Sequence, residues 1–217
     1  MMSRPWIIIT LCLLICTAAI HRTNADSDAI TAFTHVNLVP MNREAVIPDQ
    51  TVLIQGNHIV AVGPSKQIQL PDNTNIIPGA GAYLMPGLAD MHMHLRDDWL
   101  TGKWPVSPLK LFLANGVTTI RCFGPLGKRS GYALNLRDDI DQGRLTGPRI
   151  FTCGKILYIN LKHPERLVTQ QKHQGFDFIK PYSYLSVEEF HDVMSTARKI
   201  KIYVAGHIPF QVGLDGI

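Results

Sequence analysis

Two hydrophobic rhythms divide the chain. From about residue 30 to residue 80, apolar residues fall in short runs broken by turn formers. Ala32–Val39 reads as one strand and Thr51–Gln55 as a second; Gly56-Asn57 makes a turn into a third, His58–Gly63. The β-branched content of these runs and the turn residues between them predict a hairpin. Pro71-Asp72-Asn73 makes another turn before a short strand over Thr74–Ile77. This stretch predicts a small β domain.

From residue 84 the rhythm changes to strand followed by helix. A buried strand leaves the Pro86-Gly87 turn and runs to Leu95. Helical spacing over Pro108–Asn115 ends at Gly116, and Val117–Cys122 is the next strand. Tyr132–Gln142 predicts a helix with its acids and Arg137 on the outer face, followed by a strand over Arg149–Cys153. Residues 154–174 read as a long, partly basic connection containing His163 and His173. Phe176–Lys180 is a fourth strand, and Ser186-Val187-Glu188-Glu189 is a capping signal for a helix through Phe190, Val193, Met194 and Ala197. Lys201–His207 is a fifth strand. Repeated strand–helix units imply parallel strands joined by right-handed crossovers. The expected architecture is α/β: a partial TIM-type (β/α) barrel over 83–217, with about five of the eight strands of a full barrel, preceded by a β-sandwich portion over 26–82.

Composition adds an address. Arg4 and the uncharged apolar run Trp6–Ile20, followed by Thr23-Asn24-Ala25, predict a signal peptide over 1–25 cut before Asp26. The run is shorter than the ~20 residues of a membrane span, so cleavage is expected, with no stable anchor afterwards and a secreted or periplasmic product. Losing Arg4 and Arg22 with the leader leaves 19 basic residues against 17 acidic ones. That balance, with no basic stripe and no Gly-rich phosphate loop, excludes nucleic acid as a partner. Cys12 and Cys16 leave with the leader. Export permits a disulfide between the remaining Cys122 and Cys153, and two buried free thiols are the other reading.

The candidate chemistry lies at strand ends. His92 and His94 alternate with Met91 and Met93, so the imidazoles share one face with Asp90 behind them. Two imidazoles so placed can share a metal ion or be ordinary polar positions. Lys180 ends a strand and shares a face with Phe176 and Phe178, which puts its amine among apolar groups. A buried ammonium is unfavourable unless it is paired, to Asp90 for example, reaches solvent, or loses its proton. A neutral lysine can instead take up carbon dioxide and bridge two metals as a carbamate. His207 follows an apolar strand and a glycine, either as a core histidine or as a ligand. The shared position at C-terminal strand ends, where parallel barrels assemble their sites, favours the ligand. His35, His58, His163, His173 and His191 lack such context and read as surface or structural. Tyr158 and Tyr182 lie just past strand ends, as substrate contacts or as lid packing.

The ordered set of motifs resembles the metal-dependent amidohydrolases, most of all their imidazolonepropionase- and prolidase-related branch. It comprises Asn57–Gly63, Tyr83–His94 with its His-x-His, Gly116–Arg121, Phe176–Lys180 and Val204–His207. The resemblance implies that His92 and His94 hold a buried metal and that the Lys180 carbamate bridges to a second ion on His207. The ions would be zinc. It implies hydrolysis of a carbon–nitrogen bond in a small amide, cyclic amide or dipeptide by metal-activated hydroxide, giving an acid and an amine, in a protein that can oligomerise. The branch also uses a histidine on the sixth strand and an aspartate at the end of the eighth, and the sequence stops at Ile217 before either. The expectation is the N-terminal portion of a longer enzyme. On its own it would be inactive and poorly soluble, because its first and fifth strands are open edges. Two rival readings stay open: a non-catalytic, metal-binding remnant, and an enzyme of the same architecture that deaminates or opens a ring.

Overall fold

In the N-terminal unit, β1 (Ile30–Leu38) is the central strand. It pairs antiparallel with β2 (Ile47–Gln55), which turns through Gly56, at φ 56°, into β3 (His58–Pro64). β4 (Asn75–Pro78) and β5 (Tyr83–Leu84) both add parallel to β1. The structure, a computed structural model, describes residues 29–96, 98, 107–124 and 131–217; the expected leader over 1–25 lies outside the described residues. Ala32, Thr34 and Val36 alternate inward along β1, and Val52 and Leu53 of β2 are buried with them.

Two expectations change here. The chain divides after Pro86, later than the expected boundary, because Tyr83–Leu84 is laddered to β1 and belongs with the first sheet. The second layer that a sandwich requires is not among the described residues: the strands form one mixed sheet. One face of the sheet carries an apolar groove of about 360 Å³ lined by Leu38, Val52, Ile54, Ile59, Val62 and Leu84.

The second unit alternates strand and helix as expected. β6 (Leu88–Met93), β7 (Val117–Cys122) and β8 (Arg149–Thr152) form a parallel sheet in chain order. β9 (Phe178–Ile179) and β10 (Tyr203–Val204) form a second parallel pair. Parallel bridges from Cys153 to Phe178 and from Leu157 to Pro181 join β8 to β9. The five strands therefore follow one another side by side, which is the order of the first five strands of a β/α barrel. Gly87 is required where β6 enters: a Cβ there would lie 2.1 Å from Thr118 Oγ1 on β7.

Helices α1 (Pro108–Ala114), α2 (Tyr132–Asp141), α3 (Pro164–His173) and α4 (Val187–Ile200) pack behind the strands. Leu109 of α1 and Leu136 of α2 reach Met93, Ile120 and Ile150. Val168 of α3 and Phe190 and Val193 of α4 reach Ile179 and Ile202. Such layering removes apolar area from water at ~25 cal/mol per Å² and orders the strand ends. The α4 capping box is present: Ser186 accepts from the Glu189 N–H, and the Glu189 carboxylate accepts from the Ser186 N–H. That carboxylate also accepts from the Leu161 N–H, tying the loop after β8 to the start of α4.

Three readings are corrected. The connection over 154–174 contains α3, hidden because its buried stripe is as narrow as Pro164, Val168 and Gln171 and the rest is polar. The fourth and fifth strands are each only two residues long. Lys201 is instead the left-handed cap of α4, at φ 55°, and Asp177 turns aside to bind Thr152 N–H and Arg137. Arg137 is thus not a solvent-facing charge: its guanidinium meets Asp177 at 2.9 Å and Gly175 O at 3.1 Å.

Candidate metal centre

β6 carries His92 near its C-terminal end, with His94 one residue beyond it, and their ring centroids are 5.7 Å apart. The Asp90 carboxylate accepts from the His92 backbone N–H at 3.0 Å and so supports the strand end locally; it does not pair with Lys180. His94 Nδ1 lies 2.9 Å from Gly124 O. A carbonyl oxygen only accepts, so Nδ1 carries the proton and the Nε2 lone pair is left for a ligand.

Phe123, the first residue after β7, joins the ligand candidates. Its ring stacks on His92 at 4.0 Å and 25°, and Lys180 Nζ lies 4.3 Å from its centroid. The Arg121 guanidinium is 4.7 Å from the same centroid and the Phe178 ring 5.0 Å. Lys180 is 2% exposed, at the end of β9, and among the described residues no carboxylate is within ion-pair distance of it. Burial is the largest influence on its amine and lowers its pKa. Cys153 opposes that shift, and Arg121 adds to it.

His207 arrives from the end of β10. Its N–H donates to Pro181 O at 3.1 Å, and Nδ1 shares a 3.1 Å hydrogen bond with Ser183 Oγ. Gly206 permits this approach, since a Cβ there would lie 2.4 Å from Pro181 O and 3.0 Å from Lys180 Cδ. Burial and then Lys180 hold the His207 pKa below the ordinary imidazole value. His92 is lowered by burial first and then by Lys180, His94, His207 and Arg121. The four candidates thus form one electrostatic cluster. Tyr182 lies 4.5 Å from the His207 ring and stacks on Tyr158 at 4.8 Å.

Cys122 and Cys153 are buried free thiols. Burial, reinforced by Cys122 and opposed by Lys180, pushes Cys153 up to about 12. Among the described residues, no three His, Cys, Asp or Glu side chains gather as a metal cage. The donors that the strand ends bring together are of a different kind: the His92 and His94 rings 5.7 Å apart, and the buried Lys180 amine acting electrostatically on His92 and His207. Imidazole suits zinc, and an amine freed of its proton can become a donor, so these residue types are ones a divalent ion accepts.

The sequence reading missed Phe123, Gly124 and Ser183. Extending the strand-end rule to β7 would have flagged the first two.

No family model matches the sequence. An adenine deaminase of Chelativorans sp. (strain BNC1) is 27% identical over 186 residues, covering 76% of this chain and 30% of that protein. An adenine deaminase of Ruegeria sp. (strain TM1040) is 30% identical over 94 residues, covering 43% of this chain and 15% of its own length. The crystal structure of a Xaa-Pro dipeptidase with bound methionine superposes with a TM-score of 0.65 at 23% identity, covering 82% of this chain and 56% of that one. The chain spans less than a third of these two curated relatives and just over half of the solved structure. With the strand-end histidines and the buried lysine in place, the chain is similar in sequence to adenine deaminases and in fold to prolidases and other amidohydrolases.

Proposed function

We propose that the chain supplies one wall of a two-metal centre that hydrolyses carbon–nitrogen bonds in small molecules. One observation carries the reading: Lys180, 2% exposed and without a carboxylate partner among the described residues, lies at a strand end against the Phe123 ring on which His92 stacks. An ammonium held there is neither solvated nor neutralised, so the site favours the free amine. The free amine attacks carbon dioxide, forming an N–C bond and releasing one proton to water, and the anion that results would serve as a metal ligand. His92 and His94 would hold one ion, the Lys180 carbamate would bridge, and His207 would hold the other, with zinc as the metal suited to these donors. When bound, the ions supply a water of lowered pKa and polarise the scissile group.

The chain's own residues orient and exclude. Gly124 O fixes the His94 tautomer and Ser183 orients His207. Phe123 closes the floor beneath His92 and Lys180, and Tyr158 and Tyr182 contact the substrate.

Two reactions fit this site. Amide or dipeptide hydrolysis accords with the fold shared with the Xaa-Pro dipeptidase. Deamination of a heterocycle is favoured by one specific observation, that the sequence relatives are adenine deaminases. The rival reading is a non-catalytic, metal-binding remnant. The Arg4 and Trp6–Ile20 leader pattern supports export to the periplasm or medium.

Zinc content and the ¹³C signal of the chain under labelled carbon dioxide test the centre. Metal uptake and a carbamate resonance, both lost in Lys180→Ala, are expected. A chain that takes up no zinc, or whose resonance survives that substitution, removes the reading.

A further inference from the structure

Beside His207, the rings of Tyr158, Tyr182, Tyr184 and Phe210 form one contiguous aromatic surface. Tyr158 stacks on Tyr182 at 4.8 Å and 25°, Tyr184 tilts against these two rings at 5.3 and 6.0 Å, and Phe210 meets Tyr184 edge-on at 5.6 Å. Tyr182 continues the surface to the His207 ring at 4.5 Å. Backbone hydrogen bonds set the segments that carry it: Tyr182 N–H donates to Leu157 O at 2.8 Å and Phe210 N–H to Ser183 O at 2.9 Å. The backbone of Tyr182 and of Phe210 is thereby held in place.

The rings are not placed as a core. Tyr158, Tyr184 and Phe210 are 49%, 46% and 75% exposed, so open ring surface faces outward at the strand-end face where His207 sits. Aromatic rings packed against one another yet left open on one side, next to candidate chemistry, have the form of a binding surface.

We propose that this surface is the recognition subsite of the centre and takes a planar aromatic or heteroaromatic ring. That the ring belongs to a substrate rests on the hydrolase reading; the binding of a ring does not. The physical ground is the ring quadrupole. A flat ring can meet Tyr158, Tyr184 and Phe210 in the offset and edge-on arrangements these side chains already adopt with one another, and gains beyond the area it buries. A saturated ring of the same size buries similar area without that gain.

Benzamide and cyclohexanecarboxamide carry the same amide and differ in flatness. Ligand-observed NMR titration of the 217-residue chain is expected to show benzamide binding about fivefold more tightly. The double substitution Tyr184→Leu, Phe210→Leu falls on exposed positions, with circular dichroism and thermal unfolding as checks on the fold. It should bring that ratio close to one. Equal binding of the two amides to the parent chain overturns the inference, and so does a ratio that survives the double substitution. Zinc uptake by the same samples separates the two readings. A ring preference without zinc uptake keeps the subsite and removes the hydrolase, while zinc uptake without a preference does the reverse.

Discussion

Truncating Phe123 should do two separable kinds of damage. The ring is 3% exposed and meets His92, Lys180, Arg121 and Phe178 at centroid distances between 4.0 and 5.0 Å. Phe123→Ala removes that burial and leaves a void between β7 and β9, so the expected loss of stability is about 3 kcal/mol. Phe123→Leu keeps most of the apolar volume and loses the stacking on His92 and the face beneath Lys180. Its stability loss should stay near ~1 kcal/mol, while zinc affinity falls roughly tenfold, as it does when a group that orients a metal ligand is removed. Urea unfolding gives the first quantity, and zinc titration against a chelator of known affinity gives the second. The reasoning fails if Phe123→Leu binds zinc like the parent, or if Phe123→Ala is destabilised by less than about 1 kcal/mol.

Three further outcomes are expected. Asp177→Ala breaks the pairing with Arg137 and also leaves the Thr152 N–H without its acceptor, so it should destabilise more than Arg137→Ala, by about 2 against 1 kcal/mol in urea unfolding; equal losses would contradict the geometry. Gly206→Ala places a Cβ 2.4 Å from Pro181 O, an atom of the backbone, and should lower stability by about 2 kcal/mol and weaken zinc uptake through both Lys180 and His207. A thermal shift of less than a degree would refute that. The folded pKa of Cys153, about 12, lies above the ordinary thiol value of 9.0. Its contribution to stability is therefore full below the unfolded value and is lost as pH rises towards the folded one. Unfolding scans should show decreasing stability above about pH 9 that is reduced in Cys153→Ala, and native Cys122 and Cys153 should resist alkylation at pH 8 until the chain unfolds.

The strand–helix alternation after residue 84, the hairpin before it and the capping box of α4 were legible in the sequence because each is a local signal. Alternation places residues on faces, and turn or cap chemistry acts within a few positions. His92 and His94 could be assigned to one face for the same reason, and Lys180 and His207 to strand ends. α3 was not legible, since a helix that buries so narrow a stripe leaves little periodic contrast. The groups that make the cluster a site come from chain segments far apart in sequence. Phe123 contacts both His92 and Lys180, Gly124 O chooses the tautomer of His94, Ser183 holds His207, and Asp177 reaches back to Arg137. Pattern along the chain thus determined which residues are candidates, and packing across β7, β9 and β10 decided which of them meet. Distances of 3 to 5 Å between residues 24 to 57 positions apart follow from how parallel strands lie side by side, and no local signal encodes them.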